Sequence, residues 1–327
     1  KDIGMLSMVS KTVSQHIINY ISTSCGSRRL LIQNFHDLDL SGTKEESCLL
    51  EHYRALGLLF KRCTLLLPTK DRLKYIHKIL SESARKLELR IRLFCRNVLL
   101  DHWTQRSDSA FWLTRILKPW PMVNQARLLY IIFGPISPQD GQVIWQEMVE
   151  GPTDESSLKG LANAIKLLYD TGTKEWTADD VISLVDELSV VPREWLLENN
   201  ARLLILSGNN ICFTFMASKA VNGRAIELAR LIVFLALVCE KELYCMDWTV
   251  RMMQKVCKVF SAAAERKGFL QSVANAFACV TMEMLQPIMS GERDDDDRGF
   301  LNLFHLLHAQ ANFHKEVLYL TMNASSS

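Results

Sequence analysis

Apolar residues recur at intervals of three and four along most of this chain, which is the periodicity of amphipathic α-helices. The first such stripe consists of Ile3, Leu6, Val9, Val13 and Ile17. Alternating apolar and polar runs, the usual mark of half-buried strands, are nearly absent, and the Asn-Gly pair at 222–223 precedes a helical segment instead of joining two strands. The sequence therefore predicts an all-α fold.

The predicted helices are about 10–25 residues long and are joined by short connections. They cover roughly the segments 69–82, 121–133, 155–169, 178–188, 192–206, 222–243, 247–260, 262–286 and 299–320. Thr177 followed by two aspartates marks one helix start, and Asp154 marks another, whereas 207–210 has the composition of a helix stop. No fixed period of about 34 or 40 residues holds, so a regular repeat family is not indicated. We expect an irregular helical bundle or a solenoid-like array.

Composition and charge limit the partners of this chain. Apolar residues make up 48% of the 327 residues and charged residues 23%, which are ordinary values for a protein with a buried core. The formal net charge is +2, too small to attract nucleic acid or an anionic membrane over a distance. The longest uncharged apolar run, 231–239, is short, because a membrane span needs about 20 residues. We expect neither a nucleic-acid nor a membrane partner.

The 9 cysteines are odd in number, scattered, and mostly placed in apolar helical segments. This usage is typical of reduced thiols in an intracellular protein and not of a disulfide framework. No secretory signal opens the chain, which favours the same location. No CxxC pair occurs, and His305, His308 and His314 of the last predicted helix lack the further ligands that zinc needs. We expect no metal site and no cofactor.

Known catalytic motifs are missing from the sequence. The chain has no glycine-rich phosphate loop ending in Lys-Ser or Lys-Thr, no HExxH and no GxSxG. We therefore predict that the protein is not an enzyme and has no catalytic residue.

Two segments are candidates for a partner surface. Pro119 and Pro121 hold Trp120 in a non-helical link, where the indole is either an exposed recognition element or a buried wedge between helices. An acidic run follows much later in the chain: Asp294, Asp295, Asp296 and Asp297. The run lacks the alternating ligands and central glycine of a calcium loop, so it is either a solvated turn or a docking surface for a basic partner.

The first helix carries a recognisable motif. Residues 1–11, KDIGMLSMVSK, resemble the second half of an F-box, whose pattern reads roughly Asp-Leu-Leu-x-Leu-Ser-x-Val-Cys-Lys. Gly4 stands where the family usually has leucine, Ser10 where it has cysteine, and Val13 where tryptophan is common. The resemblance implies that the first apolar stripe docks on the Skp adaptor, and the adaptor-binding residues are then Ile3, Leu6, Val9, Val13 and Ile17. The alternative is that the same stripe packs on the helical body.

Three further stretches extend the resemblance along nearly the whole chain. They are YRALGLLFKRC at 53–63, FWLTRILKPW at 111–120 and DVISLVDEL at 180–188. They resemble a germline, meiosis-associated branch of the F-box-only proteins. That resemblance implies a substrate-recruiting subunit of a Skp–cullin–F-box ubiquitin ligase, with the Skp adaptor and through it a cullin as partners, and it favours the nucleus over the cytoplasm. The alternative is a non-catalytic helical scaffold that binds meiotic partners without ligase activity.

The same resemblance suggests how the chain is divided. We expect residues 1–22 to form the C-terminal part of an F-box and residues 23–327 to form a helical body, with a substructure break near 134–138. An F-box usually has a Leu-Pro-containing helix ahead of this point, and the chain begins after it. At 81–85 the family is expected to have a longer, cysteine-containing stretch, so a helical piece is predicted to be missing at this junction.

Overall fold

The computed structural model of the chain describes residues 10–23, 106–137, 142–170, 175–290 and 296–325 as continuous stretches, and shorter pieces between 25 and 96. The helices with defined bounds in these stretches are α1 (Lys11–Ile21), α2 (Arg106–Leu117), α3 (Met122–Phe133), α4 (Glu147–Glu150), α5 (Glu155–Tyr169), α6 (Ala178–Leu188), α7 (Leu197–Ser207), α8 (Asn209–Val221), α9 (Ala225–Lys241), α10 (Met246–Cys257), α11 (Ala263–Ser290) and α12 (Asp296–Ser325). Within these stretches, extended pairing is limited to one isolated bridge between Ile136 and Val143. The predicted all-α fold is confirmed.

The chain folds into two compact units. The first comprises Lys1–Gln146 and Leu167–Pro192, and the second comprises Glu147–Lys166 and Arg193–Ser327. The predicted break near 134–138 falls inside the first unit. The predicted division into an F-box remnant at 1–22 and a body at 23–327 stays a prediction.

In the first unit α3 packs against α2 and α6. Tyr130 of α3 is fully buried, stacks on Trp145 at 4.5 Å and donates its hydroxyl hydrogen to the Ile144 carbonyl at 2.8 Å. The buried Arg92 guanidinium donates to the carbonyls of Ile131 at 3.1 Å and Gly134 at 2.8 Å, which otherwise lack helical partners at the end of α3. Burial lowers the pKa of Arg92 to about 10.

The start of α6 shows why the helix ends could be predicted. The Thr177 hydroxyl accepts a hydrogen bond from the Asp180 amide at 3.1 Å, and the Asp180 carboxylate accepts one from the Thr177 amide at 3.0 Å. This reciprocal pair is a capping box, and the hydrogen bond from the Thr177 backbone holds the pKa of Asp180 below its ordinary value. Asp154 likewise accepts from the Ser157 amide at 2.8 Å at the start of α5.

In the second unit α9 is the central helix. It packs against α7, α8, α10, α11 and α12, and its buried residues lie on every side. The predicted stop at 207–210 is only partly correct, because a new helix, α8, begins at Asn209. Gly208 has a φ of 93°, so the chain turns between α7 and α8 through a single residue and not through a loop. Helix α7 begins at Leu197 and not at the predicted residue 192.

Candidate interaction surfaces

One side of α1 is fixed by packing and hydrogen bonds. Ile18 and Ile21 are 0% and 4% exposed. On a neighbouring side, the Tyr75 hydroxyl donates to the Asn19 side-chain oxygen at 2.9 Å and accepts from the Gln15 amide. These contacts set the rotation of α1 about its own axis, because buried isoleucines and a polar clamp leave one face directed outward.

An apolar row runs along one edge of the exposed side of α1, beside the exposed polar residues Thr12 and His16. Val13 and Tyr20 are 36% and 42% exposed, and Ile17 is half-buried. Their spacing of four and then three residues places the three side chains in one row on the helix. Val13 and Ile17 belong to the predicted adaptor-binding stripe, and Tyr20 extends it by one turn. Tyr20 was not predicted from the sequence, although its spacing from Val13 and Ile17 places it in the same row.

The remaining residues of the predicted stripe, Ile3, Leu6 and Val9, lie outside the described residues. Their assignment to adaptor binding stays a prediction from the motif. The same holds for Asp294 and Asp295. Asp296 and Asp297 lie in the first turn of α12, but their side chains are outside the described set.

Trp120 lies in the link between α2 and α3 and is half-buried. Its amide donates to the Leu117 carbonyl at 3.0 Å, and its carbonyl accepts from the Gln125 side-chain amide at 2.7 Å. Pro119 and Pro121 on either side are exposed. The link is thus tied to the helices at both ends, and its role as a partner surface stays a prediction.

A buried ionic cluster joins α7, α9 and α12. The Glu198 carboxylate accepts from Arg202 at 2.8 Å and from Lys241 at 2.7 Å, and Glu198 and Arg202 are each 6% exposed. Arg202 also contacts Glu242 at 3.0 Å, and Lys241 donates to Asn302 at 3.0 Å. Two cations and two anions balance, so the cluster orders the helices and leaves no net charge for a ligand. The i,i+4 spacing of Glu198 and Arg202 is the signal in the sequence that indicates this pair.

The buried thiols are poor nucleophiles. Burial raises the pKa of Cys212 to about 12 and that of Cys239 to about 11, so both remain protonated at neutral pH. Among the described residues, no group of three His, Cys, Asp or Glu side chains could hold a metal ion.

None of the helices in the described part of the chain combines the length and the apolar character that a membrane crossing requires.

Comparison with known proteins identifies the family. A family model described as "FBXO47, ARM repeats" matches residues 69–297, more than half of the chain. F-box only protein 47 of Mus musculus is 78% identical over 390 aligned positions, which cover 100% of this chain and 86% of the relative. The human protein of the same name is 72% identical over the same coverage. No solved structure matches.

The repeat description corrects one expectation. No regular repeat was indicated by the sequence, yet the family model describes armadillo repeats, which supports the predicted solenoid-like array. The reason is physical: within the matched residues, consecutive helices α7 to α11 vary from 11 to 28 residues, so equivalent positions do not recur at a fixed separation.

The alignments also bear on the length of the chain. They extend over 390 positions, whereas the chain has 327 residues, so at least 63 aligned positions of each relative have no counterpart here. The junction at 81–85 lies outside the described residues, and its assignment as the place of the missing piece stays a prediction. From the family match and the two relatives together, this chain belongs to the F-box only protein 47 family.

Proposed function

We propose that this protein is a substrate-recruiting subunit of a Skp–cullin–F-box ubiquitin ligase, in which α1 docks on the Skp adaptor and the helical body holds the substrate. The observation that carries the proposal is the apolar row of Val13, Ile17 and Tyr20 on the exposed side of a helix whose opposite side is held by the buried Ile18 and Ile21. An exposed apolar row on a rigid helix matches the helix-in-groove mode of recognition.

In this role the protein carries out no bond chemistry. It raises the effective concentration of a substrate lysine near the charged ubiquitin enzyme, which is a matter of positioning alone. The germline resemblance adds that the substrates are meiotic proteins and that the complex acts in the nucleus. Crosslinking mass spectrometry of the protein from germ cells tests both points, since it reports neighbours in place.

The adaptor contact is tested by two charge substitutions in the first turn of α1. Val13→Asp places a carboxylate on the outward row, and Thr12→Asp places one on an exposed neighbouring position outside it. A carboxylate in the first turn interacts favourably with the helix dipole in both variants, so the two substitutions should affect the stability of the fold to a similar extent. We expect Val13→Asp to weaken binding of the purified Skp adaptor to the full-length protein by about tenfold or more, because the carboxylate is desolvated in an apolar contact.

Thr12→Asp should bind the adaptor as the parent does, and the thermal melting of both variants should match that of the parent. Equal adaptor affinity of the two variants contradicts the assignment of the row. Failure of the unmodified full-length protein to bind the adaptor at all contradicts the ligase proposal and leaves the helical scaffold.

The scaffold is a second candidate because of a separate observation. Helix α12 exposes seven large apolar side chains in the second unit: Phe300, Leu301, Phe304, Leu307, Leu318, Tyr319 and Met322. A partner on this surface requires no adaptor. Adaptor binding by the full-length protein is therefore the measurement that separates the two functions.

A further inference from the structure

The inward side of α12 is firmly packed. Leu306, Ala309 and Phe313 are at most 2% exposed, and the Phe313 ring lies 5.4 Å from that of Phe277 in α11. The Asn312 amide donates to the Glu240 carboxylate of α9 at 2.8 Å. The helix therefore cannot rotate to bury its other side without breaking these contacts.

The outward side of α12 carries a heptad-like row. It consists of Phe300, Phe304, Leu307, Ala311, His314 and Leu318. The steps between these residues alternate between four and three, and all six side chains are exposed. This spacing keeps a row facing a second helix as the two wind around each other, because it averages 3.5 residues. A single apolar residue on a surface is ordinary, but a row of this length at this spacing is typical of a helix-binding surface.

The shape of the row also fits a helix. From Phe300 to Leu318 the row extends over about 27 Å at 1.5 Å per residue, which is room for about two and a half heptads. Ala311 lies in the middle of the row, between the larger Leu307 and His314. A small residue between large ones leaves a hole into which one side chain of a partner helix inserts.

The charges around the row point to an acidic partner. Between residues 299 and 322, the exposed ionisable side chains are His308, His314, Lys315 and Tyr319, and none of the exposed residues is an aspartate or a glutamate. Glu316 is half-buried and lies 3.7 Å from Lys315. A second copy of this chain is a poor occupant, because antiparallel pairing centred on Ala311 sets Lys315 of one copy against Leu307 of the other.

We propose that the outward face of α12 binds an amphipathic α-helix of another protein, with apolar residues in the row and acidic residues beside Lys315. The surface shares no residue with the α1 row. A substitution on the outward face of α12 can therefore abolish helix binding without affecting adaptor binding, and the two proposals can fail independently of each other.

The test uses two helical peptides of about 21 residues, or three heptads, with leucine at both seam positions. One peptide has glutamates flanking the seam and the other has lysines. Binding to the purified protein is measured by fluorescence anisotropy. We expect the glutamate peptide to bind about tenfold or more tightly than the lysine peptide, and Lys315→Glu to reduce or reverse that preference. Leu307→Asp should weaken the glutamate peptide by about tenfold or more.

Leu58→Asp is the matched control, because Leu58 is 45% exposed and Leu307 is 47% exposed. It should leave peptide affinity unchanged, and circular dichroism melts should show that both variants fold. The proposal is overturned by equal affinity for the two peptides, by unchanged affinity in Leu307→Asp, or by no binding at about 100 μM peptide, a level at which even weak complexes form. A mass of twice the chain by light scattering, lost in Leu307→Asp, overturns it in favour of a second copy.

Discussion

Helices α9 and α12 are both rich in apolar residues, but they use them in opposite ways. Ten residues of α9 are buried, and five other helices surround it. In α12 the buried apolar residues are Leu306, Ala309 and Phe313, whereas seven large apolar side chains are between 47% and 66% exposed. The difference shows that apolar content alone does not indicate a core helix. Apolar side chains stabilise the fold only where neighbouring helices remove them from water.

The contrast separates two roles within one unit. Helix α9 holds the second unit together, since its side chains contact all the neighbouring helices. Helix α12 packs against the unit with one side and exposes the other to solvent. Its outward apolar area is therefore available for a partner. Mutations in α9 should therefore act on stability, and mutations on the outward side of α12 should act on binding.

A matched pair of leucines gives the largest expected effect. Leu235 of α9 is 0% exposed, and Leu307 of α12 is 47% exposed. We expect Leu235→Ala to lower the free energy of unfolding by about 2–5 kcal/mol, because it removes buried methyl groups and leaves a cavity. Leu307→Ala should change it by less than about 1 kcal/mol. Urea denaturation followed by circular dichroism measures both.

Two outcomes would break the contrast. If Leu307→Ala lowers the free energy of unfolding by a similar amount, then the outward side of α12 is covered within the folded chain. A small loss in Leu235→Ala means that α9 is not the centre of the unit.

The sequence predicted much of this fold because local signals agree with the final structure. At α6 the predicted range 178–188 equals the observed helix, since Thr177 and Asp180 cap it and its apolar side is continuous. Helix α8 was missed because Gly208 replaces a loop by one residue. The roles of α9 and α12 could not be distinguished, because burial depends on neighbours that are distant in sequence.

The candidate site was predicted in the same uneven way. The spacing of Val13 and Ile17 indicated a row on α1, and the structure places Val13 at its exposed side. The outward direction of that row depends on Tyr75, which contacts Asn19 from 56 positions away. No periodicity in α1 contains that information.

The ends of α8 and α9 provide the next effect in size. Both helices end in the same hydrogen-bonded turn. The backbone amide of Arg224 donates to the Lys219 carbonyl, and the backbone amide of Tyr244 donates to the Cys239 carbonyl, each at 2.9 Å. The residue with positive φ is Gly223 at 72° in the first turn and Leu243 at 58° in the second. Leucine is strained in this conformation, and Leu243 is 91% exposed, so its side chain gains almost no burial in return.

We therefore expect Leu243→Gly to raise the free energy of unfolding by about 0.5–1 kcal/mol, the strain relieved less the added entropy of the unfolded chain. The reciprocal change, Gly223→Leu, should lower it by about 1–2 kcal/mol. Both are read from thermal melts. A destabilised Leu243→Gly protein would show that the exposed leucine makes a contact that stabilises the end of α9.

The smallest expected effect concerns the ion pair between α9 and α11. Arg230 donates to both Glu283 oxygens, at 2.7 and 2.8 Å, but the two side chains are 31% and 53% exposed. The hydrogen bond from Arg230 holds the pKa of Glu283 below its ordinary value. The pair therefore stabilises the fold at neutral pH, and this contribution is lost as the pH falls through that lowered pKa. Glu283→Gln should cost about 0.2–1 kcal/mol at pH 7 and less in high salt, because water and ions screen an exposed pair. Urea melts at two salt concentrations measure this. A salt-independent loss as large as that of Leu235→Ala would mean that charge, and not apolar burial, holds α9 in place.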